Sequence, residues 1–525
     1  MSGHEWRGGA VGVESSALWS GVESTAAALE ESVRVDVAIV GGGLAGLAAA
    51  AAIRDRNRSV ALCERGRIGS GATGATSGIL TSQPGFIYDH LRERFSPRAA
   101  TRYASLLGET VERVSERLER SDIDCGLIRG PSYVYGNSRD RIEREAAAAS
   151  AAGVPASVVT SVPPFERALA AIRVEAQVAI DPRAYAGLLA EGLAARSGVE
   201  LFEETRVRRV EPGSPCRLET DEGVIIADSI VLATGFPLVD PAAYFTRLYA
   251  TRSYLLAVRL GGRAPTGIYC NPADDGRTVR VVADDGAWPL VLVGGERHKT
   301  GHGESTAKRY ERLESWTRER FPVRAIESRW SVQGYTTADG LPFVGPIGGR
   351  AENVFLTTGF GEWGEAAALA AGEVVADSVV ATASSSHTPH PAGSLLDPRR
   401  VTPTASVPTA LIENADAGSR FATDWVRTLL TPDREPLEPG AGRIRRVGRE
   451  PVAVARDDGG AYHAVLAVCP HRSCLVEWND AEATWDCPCH GSRFAPDGTW
   501  LEGPAGERLP ARAVPEDEVE VDEND

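Results

Sequence analysis

The first ordered stretch of the chain alternates. Val33, Val35, Val37 and Ile39 are spaced by other residues, a period of two in β-branched side chains that predicts a strand over 33–40. Gly41, Gly42 and Gly43 follow, and then an apolar run over 44–53 with the length of a helix. Residues 59–63 read as a second, short buried strand. Strand, glycine turn, helix and strand make a βαβ unit, which opens a parallel sheet. From about residue 201 the pattern becomes strand-rich, with candidates at 201–202, 206–210, 225–233, 288–294 and 354–358. Residues 365–381 read as a long helix.

Residues 384–408 break this patterning. His387, Pro389, His390, Pro391, Pro398 and Pro403 lie among Ser and Thr, a composition that predicts an irregular connector. Residues 421–430 read as one amphipathic helix, and a compact β-patterned module begins near Leu437. The expected organisation is an N-terminal extension (1–32), a main unit (33–382), a linker (383–436), a C-terminal module (437–515) and an acidic tail (516–525).

Composition narrows the function. The 525 residues are 43 % hydrophobic and 24 % charged, with a net charge of −16. An acidic chain of this kind repels nucleic-acid phosphates and anionic lipid. Residues 1–30 lack a basic segment followed by an apolar core. The apolar stretch 37–53 is interrupted by four glycines, which excludes it as a membrane span. The expected location is cytoplasmic, without integral membrane association. Eight cysteines are too few for a disulfide scaffold, but four fall between Cys469 and Cys489.

Gly41-Gly42-Gly43-Leu44-Ala45-Gly46 holds G-x-G-x-x-G between a strand and a helix, and Glu64 ends the next strand. Gly41 makes the turn, Gly43 lets backbone approach a pyrophosphate, Gly46 allows helix and strand to pack, and Glu64 accepts from a ribose hydroxyl. A second such unit for a nicotinamide is missing. Residues 229–235, ending at Gly235, resemble the second fingerprint of FAD proteins, in which the segment around Val207 holds the adenine. FAD is therefore favoured over NAD.

Residues 33–382 resemble the D-amino-acid oxidase (DAO) superfamily of FAD-dependent oxidoreductases. The matching pieces are the loop 70–78, which includes Thr73; the segment 294–301; the segment 339–345, which begins at Asp339; and Thr357-Thr358-Gly359-Phe360-Gly361-Glu362-Trp363-Gly364 before the long helix. The resemblance implies that the 70–78 loop lies along the isoalloxazine. It also implies that Gly359, Gly361, Trp363 and Gly364 present backbone N–H groups to the flavin, where charge develops on reduction. The implied fold is an α/β (α+β) FAD-binding Rossmann-type domain with an inserted antiparallel-sheet substrate domain. Amino-acid oxidases of this superfamily often carry an Arg five residues before the Asp matching Asp339, and here that position is Gly334. Arg280, Tyr254 and Tyr335 are the candidate catalytic residues, with His298 and Lys299 as further candidates to line the site. Glu365 is either a charge paired with its helix N-terminus or an active-site acid.

The C-terminal module carries Cys469-Pro470-His471 and Cys487-Pro488-Cys489-His490. Two thiolates and two imidazoles suit a [2Fe–2S] centre of Rieske type, and they also suit zinc. The segments 485–494 and 503–505 resemble the second cluster loop and the proline loop of Rieske domains, which decides for iron and implies an all-β module. Cys469, His471, Cys487 and His490 are then the ligands. The same resemblance implies a Cys474–Cys489 disulfide, a donor role for Ser492, and Phe494 in place of a Tyr that donates to a ligand sulfur. Arg472 and Ser473 depart from the usual apolar residue and Gly.

The chain thus resembles bacterial FAD-dependent oxidoreductases fused to a C-terminal Rieske domain. The expected activity is a dehydrogenase that takes a hydride from a small organic substrate (amine, amino acid or hydroxy compound) to flavin N5. Electrons then pass singly to the cluster and to an external one-electron acceptor. The rivals are an oxygen-using oxidase with an auxiliary Rieske module, a non-catalytic electron-transfer protein, and a reductase in which a donor delivers electrons at the cluster.

Overall fold

The computed structural model describes residues 18–19, 26–165, 168–273, 276–284, 286–349, 351, 353–383, 388–415 and 437–515. The amphipathic helix expected over 421–430 and the acidic tail lie outside them.

The βαβ start is present. Strand Val33–Val40 runs into helix Leu44–Asp55 and returns as Val60–Cys63, parallel to the first strand. Val224–Gly235 pairs parallel on the other side of Val33–Val40, and Val354–Thr358 extends the sheet beyond it. Val199–Phe202 closes the opposite edge, also parallel. These strands carry continuous apolar runs because helices or other chain segments cover both faces. Helix Glu365–Ala383 packs on Leu44–Asp55, and the contact is close enough that a Cβ at Gly372 would strike the backbone of Ala48.

The second sheet is built on long antiparallel strands, Leu248–Leu260, Leu290–Lys299 and Val323–Thr337. It continues through Arg277–Ala283 and Ile268–Asn271 to Ile128–Gly136 and Ala170–Ala179. The expectation of an antiparallel inserted sheet needs one refinement. Ile268–Asn271 pairs parallel with Ile128–Gly136, so the sheet is mixed. Helices Tyr88–Arg94, Pro97–Glu119 and Arg139–Ala151 pack nearby.

The connector is more ordered than its composition predicts. Residues 403–415 are helical, and Arg400 is buried against the main unit, donating to Asp339 and to the carbonyls of Leu341 and Pro342. The N-terminal extension is also docked where it is described. Trp19 is buried, and its indole donates to the Thr76 carbonyl at 3.1 Å.

The C-terminal module holds two antiparallel sheets. One is made from Gly442–Val447, Glu450–Arg456 and Tyr462–Leu466, the other from four short strands between Glu477 and Glu502. It does not hang free. Arg252 of the main unit is 1 % exposed and donates to Glu502 at 2.7 Å. Gln333 donates to the Gly491 carbonyl at 2.8 Å, and His302 bonds the Pro488 carbonyl at 2.8 Å. The Asp480 carboxylate accepts the backbone N–H groups of Thr306 and Ala307, at the start of helix Thr306–Arg320.

Candidate active site and metal centre

The glycine turn works by steric exclusion. Gly41 has φ +111°, a conformation that side chains avoid, and a Cβ there would strike the Ala233 carbonyl. A Cβ on Gly46 would run into the carbonyl of Gly41. The strand can therefore turn directly into the helix and leave the helix N-terminus facing a cavity of about 960 Å³. Glu64 is pinned beside it, accepting from the N–H groups of Gly42 (2.8 Å) and Gly66 (3.0 Å). Thr73 accepts from Leu44 N–H at 3.1 Å.

Of the residues expected to hold FAD, ten line this cavity: Gly41, Gly43, Glu64, Thr73, Val207, Gly235, Gly359, Gly361, Trp363 and Gly364. Gly46 sits behind the turn. Asp339 is not among the lining residues. Its carboxylate is buried and filled by Arg400 (2.7 and 2.8 Å), Thr402 (2.9 Å) and Leu341 N–H, so it clamps the connector. Sequence reading placed it at the cofactor because nothing local revealed the distant arginine.

The catalytic candidates separate in the same way. Arg280 does not line the cavity. Its guanidinium is spent on the carbonyls of Ser77, Ile180 and Val281, with Trp19 packed on it, and burial lowers its pKa to about 10. It braces the 70–78 loop from behind. Tyr254 touches the cavity wall, but its hydroxyl lies 3.0 Å from His298 and its ring packs on Tyr310. Lys299 is instead paired with Glu413 at 2.8 Å. Tyr335 lines the cavity and accepts from Gln333 at 3.2 Å. Gly334 lies on the same wall.

Glu362 and Glu365 are two of the acids that line the cavity. Glu365 accepts from the N–H groups of Gly78 (3.2 Å) and Ile79 (3.3 Å) and from the Thr76 hydroxyl. It thereby ties the 70–78 loop to the helix that starts at residue 365, and burial raises its pKa. Glu362 accepts from Ser253 at 2.6 Å and faces Arg297 at 3.4 Å. Burial raises its pKa too. The neighbouring Trp363 holds φ +53°, unusual for a bulky side chain, and is fixed by an indole bond to Thr278 at 3.0 Å. The cavity face of the large sheet includes no Lys or Arg among the described lining residues.

The metal centre is built from two loops. Cys474 and Cys489 are joined by a disulfide. The sulfurs of Cys474, Cys487 and Cys489 lie within 4.8 Å of one another, but the disulfide uses two of them and leaves Cys487 free to ligate. Its thiol neighbours that of Cys469, with the Ser492 hydroxyl beside the latter. The rings of His471 and His490 lie 4.9 Å apart. Burial pushes them to about 4 and about 3, which keeps both in the neutral, ligating form. His490 Nδ1 is buried without a hydrogen-bond partner. Two thiols, two neutral imidazoles and an orphaned ring nitrogen fit a [2Fe–2S] cluster held by Cys469, His471, Cys487 and His490. Ser473 has φ +60°, which explains why Gly is usual at its position.

The two sites adjoin. His471 and Arg472 line the cavity together with the glycine loops. Phe236, the residue after Gly235, also lines it and packs edge-on to His471 and His490.

A family model described as FAD dependent oxidoreductase (DAO) matches residues 36–378, and one for the Rieske [2Fe-2S] domain matches 429–513. The chain is 30 % identical over 486 residues to YhfW of Bacillus subtilis (strain 168), described as a Rieske 2Fe-2S iron-sulfur protein. The match covers 91 % of this chain and 93 % of that one. The chain belongs to the DAO family of FAD-dependent oxidoreductases and carries a C-terminal Rieske domain. Its DAO domain binds FAD, and its Rieske domain binds a [2Fe–2S] cluster.

The Rieske part is 40 % identical over 79 residues to the cytochrome b6-f complex iron-sulfur subunit of Chlorobaculum tepidum, covering 15 % of this chain and 43 % of that one. Glycine oxidase from Geobacillus kaustophilus shares the DAO fold, with a TM-score of 0.55 and 24 % identity over 66 % of this chain and 95 % of that one. No helix among the described residues is long and apolar enough to cross a membrane.

Sequence reasoning missed Phe236, Gln333 and the cavity-lining part of the Rieske domain. Phe236 and Gln333 carry no motif, and the motifs at His471 and 503–505 point to the cluster without showing that they also face the cavity. Glu362 stands within the segment 357–364, but its partners Ser253 and Arg297 are distant in the chain.

Proposed function

We propose that this DAO-family enzyme is a dehydrogenase that oxidises a small amine and sends the electrons inward to its own Rieske domain, then to an external one-electron acceptor. The observation that carries this reading is the shared wall: Phe236 and His471 line the cavity that Gly359 and Trp363 also line. Bound flavin accepts a hydride and the cluster carries one electron at a time, so the pair can divide a two-electron oxidation.

The chain's own residues supply position and electrostatics. Phe236 lines the cavity and packs edge-on to both imidazoles, and Gln333 ties the wall to Gly491 beside His490. Glu365 holds the 70–78 loop at the helix N-terminus. Among the described lining residues the second sheet offers a substrate carboxylate no arginine, Arg297 being turned to Glu362, whereas Glu362 and Ser253 offer acceptors to a basic nitrogen. This favours an amine over an amino acid.

Anaerobic addition of amines, amino acids and hydroxy acids to the holoenzyme tests the reading, with flavin bleaching and the cluster's EPR signal followed together. An amine that bleaches the flavin and then develops the reduced-cluster signal supports it. Bleaching with the cluster left oxidised, and recovery only by oxygen, would favour the oxidase reading instead.

A further inference from the structure

The cavity is walled by both domains. Residues 500 and 502–507 of the Rieske domain line it along with Glu64, Arg65, Arg206 and Val207. Glu64 and Val207 mark the adenosine end of a dinucleotide site of this type. Arg65 follows Glu64 directly, and Arg206 precedes Val207.

Both arginines pack on one Rieske side chain. The guanidinium carbons of Arg65 and Arg206 each lie 4.4 Å from the centroid of Trp500. Arg206 also donates to the Gly506 carbonyl. The Trp500 indole N–H is buried and has no hydrogen-bond partner. A cation is attracted to the face of an indole ring, so the two guanidinium groups hold this segment at the rim. Arg208 and Arg209 also line this end of the cavity, where they are paired with Asp221 and Glu211.

We propose that the Rieske domain completes the FAD site, with Trp500 clasped by Arg65 and Arg206 as a cover over the adenosine end. The cofactor then leaves only when this loop lifts. The Rieske domain has two roles in one placement: its His471 lines the cavity beside Phe236, and its 500–507 segment retains the dinucleotide. The proposal concerns retention of cofactor in the resting protein, and it holds whichever way electrons flow.

The test uses full-length holoprotein without substrate or acceptor. FAD release is read as the rise in flavin fluorescence after dilution, with an excess of an apo-flavoprotein as trap. The cluster is monitored in parallel by EPR. Trp500→Ala should release FAD at least about tenfold faster, the loss of roughly one such contact pair at 1.4 kcal/mol per decade, with the cluster signal intact. Trp500→Phe, which keeps a ring for the guanidinium groups, should restore most of the retention. A wild-type release rate in Trp500→Ala with an intact cluster would overturn the proposal. Should Trp500→Ala lose its cluster, Arg206→Ala decides, because the Rieske sequence is then untouched. Faster release with the cluster present supports the cover, and an unchanged rate refutes it.

Discussion

Phe236 stands edge-on to His471, with ring centroids 5.7 Å apart and planes at 79°. The same ring lies 6.3 Å from His490 and 5.4 Å from Tyr335. One side chain therefore touches both imidazoles of the cluster site and the wall of the flavin cavity. Phe236→Leu should leave substrate-driven flavin bleaching near its wild-type rate and slow the appearance of the reduced cluster. Stopped-flow absorbance combined with freeze-quench EPR reads the two steps separately. Equal slowing of both would show that Phe236 shapes the cavity and nothing more.

Glu362→Gln removes the charge proposed to meet a basic nitrogen while keeping the side chain's size. Hydrogen bonds to charged groups are worth about 1.5–3 kcal/mol, so KM for an amine substrate should rise about ten- to a hundredfold. The affinity for neutral hydroxy compounds should stay the same. An unchanged KM for amines would remove Glu362 from the substrate site.

Phe494 is fully buried and pairs with Trp485 and Trp500 across its sheet. The resemblance to Rieske domains implies that it stands where a Tyr donates to a ligand sulfur. Phe494→Tyr should raise the cluster's reduction potential, because the added donor favours the more negative, reduced state. A differential of about 1.4 kcal/mol corresponds to about 59 mV for one electron. Protein-film voltammetry measures it, and a lowered potential would mean that the hydroxyl points elsewhere.

Arg493 is 5 % exposed and donates to Asp486 (2.9 Å), Glu502 (3.0 Å) and Glu482. Arg493→Ala would strand buried carboxylates at the junction of the domains. Breaking a buried pair in this way costs about 3–5 kcal/mol. Thermal unfolding followed by the cluster's visible absorbance should show the loss as a lower midpoint.

The same carboxylates set an acid limit. Burial alone would raise Glu482 and Asp486, but Arg493 and Arg252 outweigh it and hold both below their ordinary values of 4.5 and 3.8. A carboxyl depressed in the folded state stabilises it fully above the unfolded value, and the contribution is lost as pH falls through the depressed value. The midpoint seen by cluster absorbance should therefore hold from neutrality to about pH 5 and fall below about pH 4. Glu362 and Glu365 act in the opposite sense, since burial raises them and acid relieves that cost.

What could be read from the chain alone follows from where the causes lie. The turn at Gly41 and the ligand loops at Cys469 and Cys487 are local, and their chemistry demands particular residues at particular spacings. Helix Pro97–Glu119 was equally local, with Ser96 capping Ala99 N–H and Pro97 in the first turn, but it carried no chemistry to draw attention to it. Asp339 and Arg280 were misplaced because their partners, Arg400 and the Ile180 carbonyl, are 61 and 100 residues away. The junction at Phe236 and Trp500 was beyond reach for the same reason. A composition rich in Pro, Ser and Thr concealed a connector that Arg400 anchors firmly.

Asp480 binds the backbone N–H of Thr306, 174 positions earlier. As the nascent polypeptide leaves the ribosome, helix Thr306–Arg320 emerges long before the residue that completes its first turn. The second sheet can thus assemble while synthesis continues, but that corner of it is finished only after Asp480 has been made. A prematurely terminated product would keep the glycine turn and most of the parallel sheet, yet present a frayed helix start and a cavity open on one side.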